Sequence, residues 1–257
     1  GHIPKTMSLP ARLKLSASVL AAVLLAPAAV AAMLTPWAAK LNPAAPLPEY
    51  PRPQLQREAW VNLNGSWDYA VRPRDAVAAP AAFDGKIVVP FPIESELSGV
   101  KRRVAAGERV WYRRTFTAPD LTGGKRLLLH FGAVDWQADV IVNGQPLGRH
   151  EGGYDPFSFD ITGQLKRGNE PQEIVVAVYD PADPKGEGYQ PKGKQLGSEG
   201  IWYTRTTGIW QSVWLEPVDK LALQLSTLDA TVDPKTREGV IKVLAEMILP
   251  PGGRVEM

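Results

Sequence analysis

Residues 126–160 read RLLLHFGAVDWQADVIVNGQPLGRHEGGYDPFSFD, and this stretch carries the strongest indication of the fold. Two runs rich in β-forming side chains, Arg126–Phe131 and Gln137–Val142, are separated by a short polar turn. Asn143-Gly144 then predicts a tight hairpin, because both central residues of a type I′ turn need a positive φ. The chain is therefore expected to return over Gln145–His150 as the next strand of an antiparallel sheet.

Short β runs separated by glycine and proline continue along most of the chain. Further strands are predicted at Lys86–Val89, Arg109–Thr117, Phe157–Ile161, Glu173–Tyr179 and Ile209–Glu216. Near residue 60, Asn64-Gly65 predicts another turn, and Trp67 and Tyr69 follow it on one face at a period of two. No sustained helical period interrupts this pattern, so the sequence predicts an all-β sandwich. Its core is expected to receive Val140, Val142, Val176 and Val178.

The composition limits the classes of function. Lysine and arginine number 29 against 27 aspartates and glutamates, and three of the basic residues lie in the first 32. The remainder is nearly neutral and offers no basic surface for nucleic acid. The chain contains no cysteine, so an exported form would rely on its apolar core and not on disulfides.

The first 32 residues have the features of an export signal. Arg12 and Lys14 precede an apolar stretch over 15–30, and Ala29-Val30-Ala31 has the small-x-small form of a cleavage site. The apolar stretch is short for a membrane span, although an uncleaved anchor is the alternative. Gly1–Thr6 resemble the remnant of a tag. These features predict a secreted or periplasmic protein with no stable membrane insertion after processing.

Residues 33–54 are predicted to form a stiff, extended leader into the folded part. Prolines recur there and exclude a helix, at Pro43, Pro46, Pro48, Pro51 and Pro53.

Three motifs resemble the sugar-binding jelly-roll domain of glycoside hydrolase family 2, which includes β-galactosidases and β-glucuronidases. The motifs are FGAVDWQADVIVNGQ at 131–145, HEGGYDPFSFDIT at 150–162 and TGIWQSVWLEPV at 207–218. The resemblance implies a jelly-roll sandwich of the galactose-binding type over residues 55–217. It also implies a carbohydrate partner, namely a β-glycoside, and hydrolysis as the function of the family.

Residues 218–257 resemble the opening strands of the immunoglobulin-like domain that follows the jelly roll in this family. Leu221–Leu225, a second short strand, a turn at Asp233-Pro234 and the apolar run Val240–Leu249 are expected there. Such a sandwich needs about 100 residues, so it is expected to be incomplete. The family's catalytic carboxylates lie on a (β/α)₈ barrel of about 250 residues, for which this chain has no room.

The resemblance also directs attention to the segment before residue 209. In the family this segment enters the active site and brings an acid seven residues before the isoleucine of a Ser/Ala-Gly-Ile motif. Here the motif is Thr207-Gly208-Ile209, and the corresponding position holds Trp202. The nearest carboxylate is Glu199, which lies near the end of a long loop at 181–200. Trp202 and Tyr203 either stack on the C–H face of a sugar or fill the rim of the sandwich.

Three more residues complete the candidate substrate-binding set. Arg205 either contacts sugar or pairs with a nearby acid. Asp135 and Trp136 occupy the turn between the first two runs, where the tryptophan either packs on a loop or binds a ligand. No cofactor is expected, because phosphate-binding and dinucleotide-binding motifs are absent. The three histidines lack the spacing of metal ligands, so no metal site is expected and no catalytic residue is assigned.

Three functions remain open at this stage. The first is a carbohydrate-binding or scaffolding part of a family 2 glycosidase. The second is an autonomous β-glycosidase whose loop carboxylates form a new active site, including one shared between subunits. The third is a structural interaction module without sugar affinity. The apolar strand at the end of the chain would leave an open edge, so a homo-oligomer through residues 238–257 is predicted.

Overall fold

The computed structural model describes Gly1 and residues 34–180 and 204–249, and almost all of its regular structure is β-strand. Residues 1–34 form one unit by contact and 35–257 another, and every element below lies in the second. Within the described residues the strands are β1 (Val61–Asn62), β2 (Gly65–Pro73), β3 (Gly85–Val89), β4 (Glu108–Phe116), β5 (Arg126–Phe131), β6 (Val134–Asp135), β7 (Gln137–Val142), β8 (Gln145–Glu151), β9 (Phe157–Asp160), β10 (Gln172–Tyr179), β11 (Gly208–Ile209), β12 (Val213–Val218), β13 (Ala222–Val232) and β14 (Gly239–Ile248). Single 3₁₀ turns occur at Ala38–Lys40, Pro53–Leu55, Glu96–Ser98 and Thr162–Gln164.

Two antiparallel sheets face each other and form a sandwich of the jelly-roll type. The larger has the strand order β3-β2-β4-β10-β7-β8, and the smaller has the order β1-β12-β5-β9. Most neighbours are distant in sequence, as in the β12 pairing with β5 that places Val213 opposite Phe131. The predicted all-β sandwich is confirmed.

The core lies between the two sheets and follows the period of two along each strand. Val140, Val142, Val176 and Val178 are at most 1% exposed and belong to this core, as their spacing predicted. Trp67 is fully buried in the same core, and Tyr69 packs against it from the edge.

The turn at Asn143-Gly144 has the predicted conformation, with φ values of 50° and 77° that join β7 to β8. Asn64-Gly65 is different, because no hairpin forms there. The chain passes at this point from β1 in the small sheet to β2 in the large sheet. The buried Asn64 side chain accepts a hydrogen bond from the Val213 N–H at 3.0 Å and so fixes the crossing.

The last described residues form a long hairpin. The two short strands predicted between 221 and 232 are one strand, β13, which pairs with β14 and is interrupted by a register shift between Leu225 and Thr227. A β-bulge of this kind interrupts the period of two, which explains why one strand has the sequence pattern of two. Side chains on both strands remain exposed, including Ile241 at 68% and Val243 at 59%.

Two arginines connect this hairpin to the sandwich. Arg57 donates to the Leu223 carbonyl, and Arg126 donates to the carbonyls of Lys220 and Ile248, both at 3.1 Å. Arg126 also pairs with Asp160 at 2.8 Å.

A buried carboxylate lies beneath these contacts. Glu216 on β12 has no exposed surface, yet it accepts hydrogen bonds from Tyr50, Arg52, Arg57 and Trp214. The leader segment is thereby held against the small sheet. No helix among the described residues is long and apolar enough to cross a membrane.

Candidate functional site

The candidate site lies where the chain leaves β10 and returns toward β11, at residues 180 and 204. The 3.4 Å separation of Arg205 Nη2 from Asp180 Oδ2 brings these two ends together. The same Nη2 donates to the Asp180 carbonyl at 2.9 Å. Both side chains are almost completely buried, so this contact is shielded from screening by salt.

Thr207 extends the contact into a network. Its hydroxyl donates to Asp180 Oδ2 at 2.7 Å, and its backbone N–H donates to Glu94 Oε2 at 3.0 Å. Glu94 follows β3 and lies far from the other two residues in sequence. The network therefore joins three separate parts of the chain at one end of the sandwich.

Within this network, the carboxyl of Glu94 has a shifted pKa. Burial raises the pKa of its carboxyl, because the charged form loses water, while hydrogen bonds from Thr207 and the charge of Arg205 act in the opposite direction. Its Oε1 atom is buried and has no hydrogen-bond partner among the described residues. A carboxyl with a raised pKa beside a loop is able to hold a proton or donate a hydrogen bond to a hydroxyl group.

Tyr112 and Gly208 pack against each other next to this network. The ring of Tyr112 is fully buried, and burial together with the nearby charge of Glu94 raises the pKa of its hydroxyl. Gly208 has a φ of +96°, and a Cβ atom at this position would lie 1.9 Å from Tyr112 Oη. Only glycine fits this position.

Asp135 lies on the other side of Gly208. The sequence predicted a turn at this residue, but β6 pairs with β11 and places Asp135 opposite Gly208. Asp135 is fully buried, whereas Trp136 is only partly buried. The two-residue strand was not visible in the sequence, because its partner lies more than seventy residues away.

A pair of aromatic rings, Trp210 and Tyr154, lies next to the segment whose Gly152 N–H donates to the Trp136 carbonyl at 3.2 Å. The Trp210 indole N–H donates to the Gly153 carbonyl at 2.7 Å, and the ring meets Tyr154 edge to face with centroids 5.8 Å apart. Tyr154 is 62% exposed, which is unusual for a large aromatic side chain. An exposed ring at a turn is a suitable surface for the C–H face of a sugar.

Of the six residues predicted as substrate-binding, the structure describes three. Glu199, Trp202 and Tyr203 lie outside the described residues. Arg205 is 4% exposed and engaged with Asp180, an arrangement that corresponds to the acid-pairing alternative. Asp135 and Trp136 lie next to the network, and their role in binding stays a prediction.

Other members of the site were not found from the sequence. Asp180, Thr207 and Glu94 have ordinary local contexts, and only the fold brings them together. Tyr154 lies within the HEGGYDPF motif. Because it follows two glycines, which favour a turn, its exposure could have been predicted from the sequence.

The structure describes two of the three histidines, His130 and His150. His130 is 4% exposed and stacks on Trp214, with Nε2 3.2 Å from Glu216, and His150 stacks on Phe157. Among the residues that the structure describes, no group of three or more His, Asp or Glu side chains could hold a metal ion.

Known proteins are similar to this chain over part of their length. The model of the family "Glycosyl hydrolases family 2, sugar binding domain" matches residues 52–217. A β-glucuronidase of Formosa agariphila is 33% identical over 120 residues, which cover 47% of this chain and 12% of that protein. A β-galactosidase of Thermoanaerobacter pseudethanolicus is 39% identical over 108 residues, which cover 41% of this chain and 13% of that protein.

Solved structures show the same architecture. A Faecalibacterium prausnitzii β-glucuronidase superposes with a TM-score of 0.54 at 24% identity, over 77% of this chain and 37% of that one. A Ruminococcus gnavus β-glucuronidase in complex with D-glucaro-d-lactam gives a TM-score of 0.57 at 21% identity, over 77% of this chain and 35% of that one. The chain thus spans little more than a third of these structures and about an eighth of the two relatives above. Since the family model covers well over half of the sequence, the chain belongs to glycoside hydrolase family 2 through its sugar-binding domain.

Proposed function

We propose that this chain supplies the carbohydrate-contacting jelly roll of a β-glycoside hydrolase. The observation that carries the proposal is the buried network of Asp180, Arg205 and Thr207, which holds both ends of segment 181–203 at one place on the rim. Several relatives are named β-glucuronidase or β-galactosidase, so β-glucuronides and β-galactosides are the proposed substrate class.

The segment 181–203 would bring its side chains to the sugar from this fixed base. We propose that Trp202, Tyr203 and Glu199 contact the substrate directly. Arg205 then acts as a positioning residue, because its guanidinium is directed to Asp180 and the Val104 carbonyl. Asp135, Trp136 and Tyr154 would form the adjoining edge of the surface.

Binding and turnover separate this function from its rivals. Isothermal titration of the purified chain with p-nitrophenyl β-D-glucuronide and p-nitrophenyl β-D-galactoside should show saturable binding to at least one of them. Release of p-nitrophenol should remain at the level of the buffer. Turnover that is lost on substitution of Glu94 would instead support an autonomous hydrolase, and no binding at all would support a structural module.

Two variants test the positioning of the segment. Trp202→Ala should weaken sugar binding at least tenfold with little change in the melting temperature. Thr207→Val keeps the side-chain volume but removes the hydroxyl that donates to Asp180, so it should weaken both binding and stability. Unchanged affinity in both variants would contradict the proposed position of the site.

We also propose that the protein is exported and associates with itself. The export signal in residues 1–32 supports secretion or transfer to the periplasm, and mass spectrometry of the mature N-terminus from cells would test cleavage after Ala31. The exposed apolar side chains of β13 and β14 support a homo-oligomer through residues 238–257.

A further inference from the structure

The outer face of the large sheet, opposite the core, contains a depression. Four residues lie in register across it, since Trp111 pairs with Ala177, Ala177 with Asp139, and Asp139 with Arg149. Ala177 is the smallest of the four, and the space above its methyl group opens into a cavity of about 400 Å³. This volume falls within the range of small-ligand sites.

Arg109 lines this cavity. It is only 9% exposed and lies over the ring of Trp111, 5.8 Å from its centroid. Within the described part of the chain, Arg109 forms no ion pair, and its buried Nε finds no acceptor. The indole N–H of Trp111 is likewise buried without an acceptor there. Buried donors are almost always satisfied in folded proteins, so the Arg109 Nε–H and the Trp111 indole N–H are suited to an acceptor group on a ligand.

The charges around the cavity also favour an anion. Asp139 is occupied by Arg149, which donates to its two oxygens at 2.7 and 3.0 Å. Burial lowers the pKa of Arg109, and the nearby positive charges of Arg149 and Arg74 lower it further against the opposing effect of Asp139. The surroundings therefore hold more positive than negative charge.

We propose that this depression binds a carboxylate-bearing sugar, a hexuronic acid unit, with its carboxylate on Arg109. A planar guanidinium matches a carboxylate with two parallel hydrogen bonds. Ala177, Ile141 and Val77 provide an apolar wall that suits the C–H face of a sugar ring. The preference for an anion stands on Arg109 and its surroundings, whereas the choice of a sugar rests on the proposed function.

Calorimetric titration of the full chain with D-glucuronate, D-glucose and inorganic phosphate tests this subsite. D-glucuronate should bind saturably, at least tenfold more tightly than D-glucose, and its affinity should fall as salt is added. Arg109→Gln should weaken D-glucuronate binding at least tenfold, and Arg109→Lys should weaken it less. Ala177→Leu should abolish binding by filling the cavity, which provides a second variant if Arg109→Gln does not fold.

The matched control is Arg102→Gln, which removes an exposed arginine that is paired with Glu108 and does not line the cavity. Its affinity for D-glucuronate should equal that of the wild type. Equal binding of D-glucose and D-glucuronate, or an unchanged affinity in Arg109→Gln, overturns the proposal. Phosphate binding as tight as that of D-glucuronate would overturn the sugar assignment. Thr207→Val separates the two sites, because it should weaken the binding of p-nitrophenyl β-D-galactoside, which has no carboxylate for Arg109, and leave D-glucuronate binding at the depression intact.

Discussion

Gly208 occupies a crowded position in the candidate site, against Tyr112 and opposite Asp135 in the β6–β11 pair. A Cβ atom there would overlap the tyrosine hydroxyl, and the φ of +96° disfavours any side chain. We expect Gly208→Ala to lower the free energy of unfolding by about 3 kcal/mol, from overpacking and backbone strain together. Urea denaturation followed by circular dichroism would measure this loss.

A double-mutant cycle identifies the cause. Tyr112→Phe removes the hydroxyl group that meets the new methyl group, so it should restore part of the stability of Gly208→Ala. Gly107→Ala is the control, because no heavy atom lies within 4 Å of its added Cβ. A Gly208→Ala protein as stable as the control would show that the rim can relax around the methyl group.

Glu216 is expected to dominate the electrostatic stability of the sandwich. Burial alone would raise the pKa of its carboxyl, but the adjacent His130 and the hydrogen bonds from Tyr50 and Trp214 outweigh burial and hold the pKa far below its usual range. Glu216→Gln leaves Arg52 and Arg57 without their anion. We expect a loss of about 3–5 kcal/mol in the free energy of unfolding, whereas the exposed Glu58→Gln should cost almost nothing.

The pH dependence follows from the direction of this shift. A carboxyl with a lowered pKa in the folded state contributes its full stability above its unfolded pKa of about 4.3, and this contribution disappears as the pH falls below that value. Wild-type protein should therefore lose stability steeply between about pH 5 and pH 3. Thermal melts across this range should show a flatter profile for Glu216→Gln, and parallel profiles would contradict the assignment.

At the scale of elements, strand positions were predictable because burial imposes a period of two. Arg126–Phe131 and Gln137–Val142 have the predicted bounds, since Gly132 follows the first run and the Asn143-Gly144 turn follows the second. The run Ile209–Glu216 is two strands, β11 and β12, that pair with β6 and β5. Partners so far apart in sequence leave no local signal, and for the same reason the network of Asp180, Thr207 and Glu94 could not be predicted.

The attachment of the hairpin β13–β14 can be tested separately from the sandwich. Arg126→Met removes the hydrogen bonds to the carbonyls of Lys220 and Ile248 while keeping an apolar stem. We expect faster hydrogen exchange in peptides from β13 and β14 and unchanged exchange in β4 and β10. Arg102→Met, at an exposed ion pair, is the control, and uniform acceleration in every strand would indicate global destabilisation.

For the whole molecule, the exposed apolar residues of the hairpin predict self-association. Ile241 and Val243 are 68% and 59% exposed, and a second copy that covers them removes apolar surface from water. Sedimentation velocity at micromolar concentration should show a closed oligomer, which the double variant Ile241→Glu/Val243→Glu or deletion of 238–257 converts to monomer. Val77→Glu, at an exposed apolar residue of the sandwich, should leave the oligomer intact. A monomeric wild-type chain would refute this.

The contact between Asp180 and Arg205 has a consequence for how the sequence between them can vary in length and composition. Bringing two distant points of a chain together costs conformational entropy, which rises only slowly with the length between them. Here the buried hydrogen bonds among Asp180, Arg205 and Thr207 offset that entropy, and these bonds do not involve residues 181–203. We therefore expect the segment between the two residues to tolerate replacement. We expect insertions and deletions there to leave the stability of the scaffold nearly constant and, under the proposed function, to alter which sugar is bound.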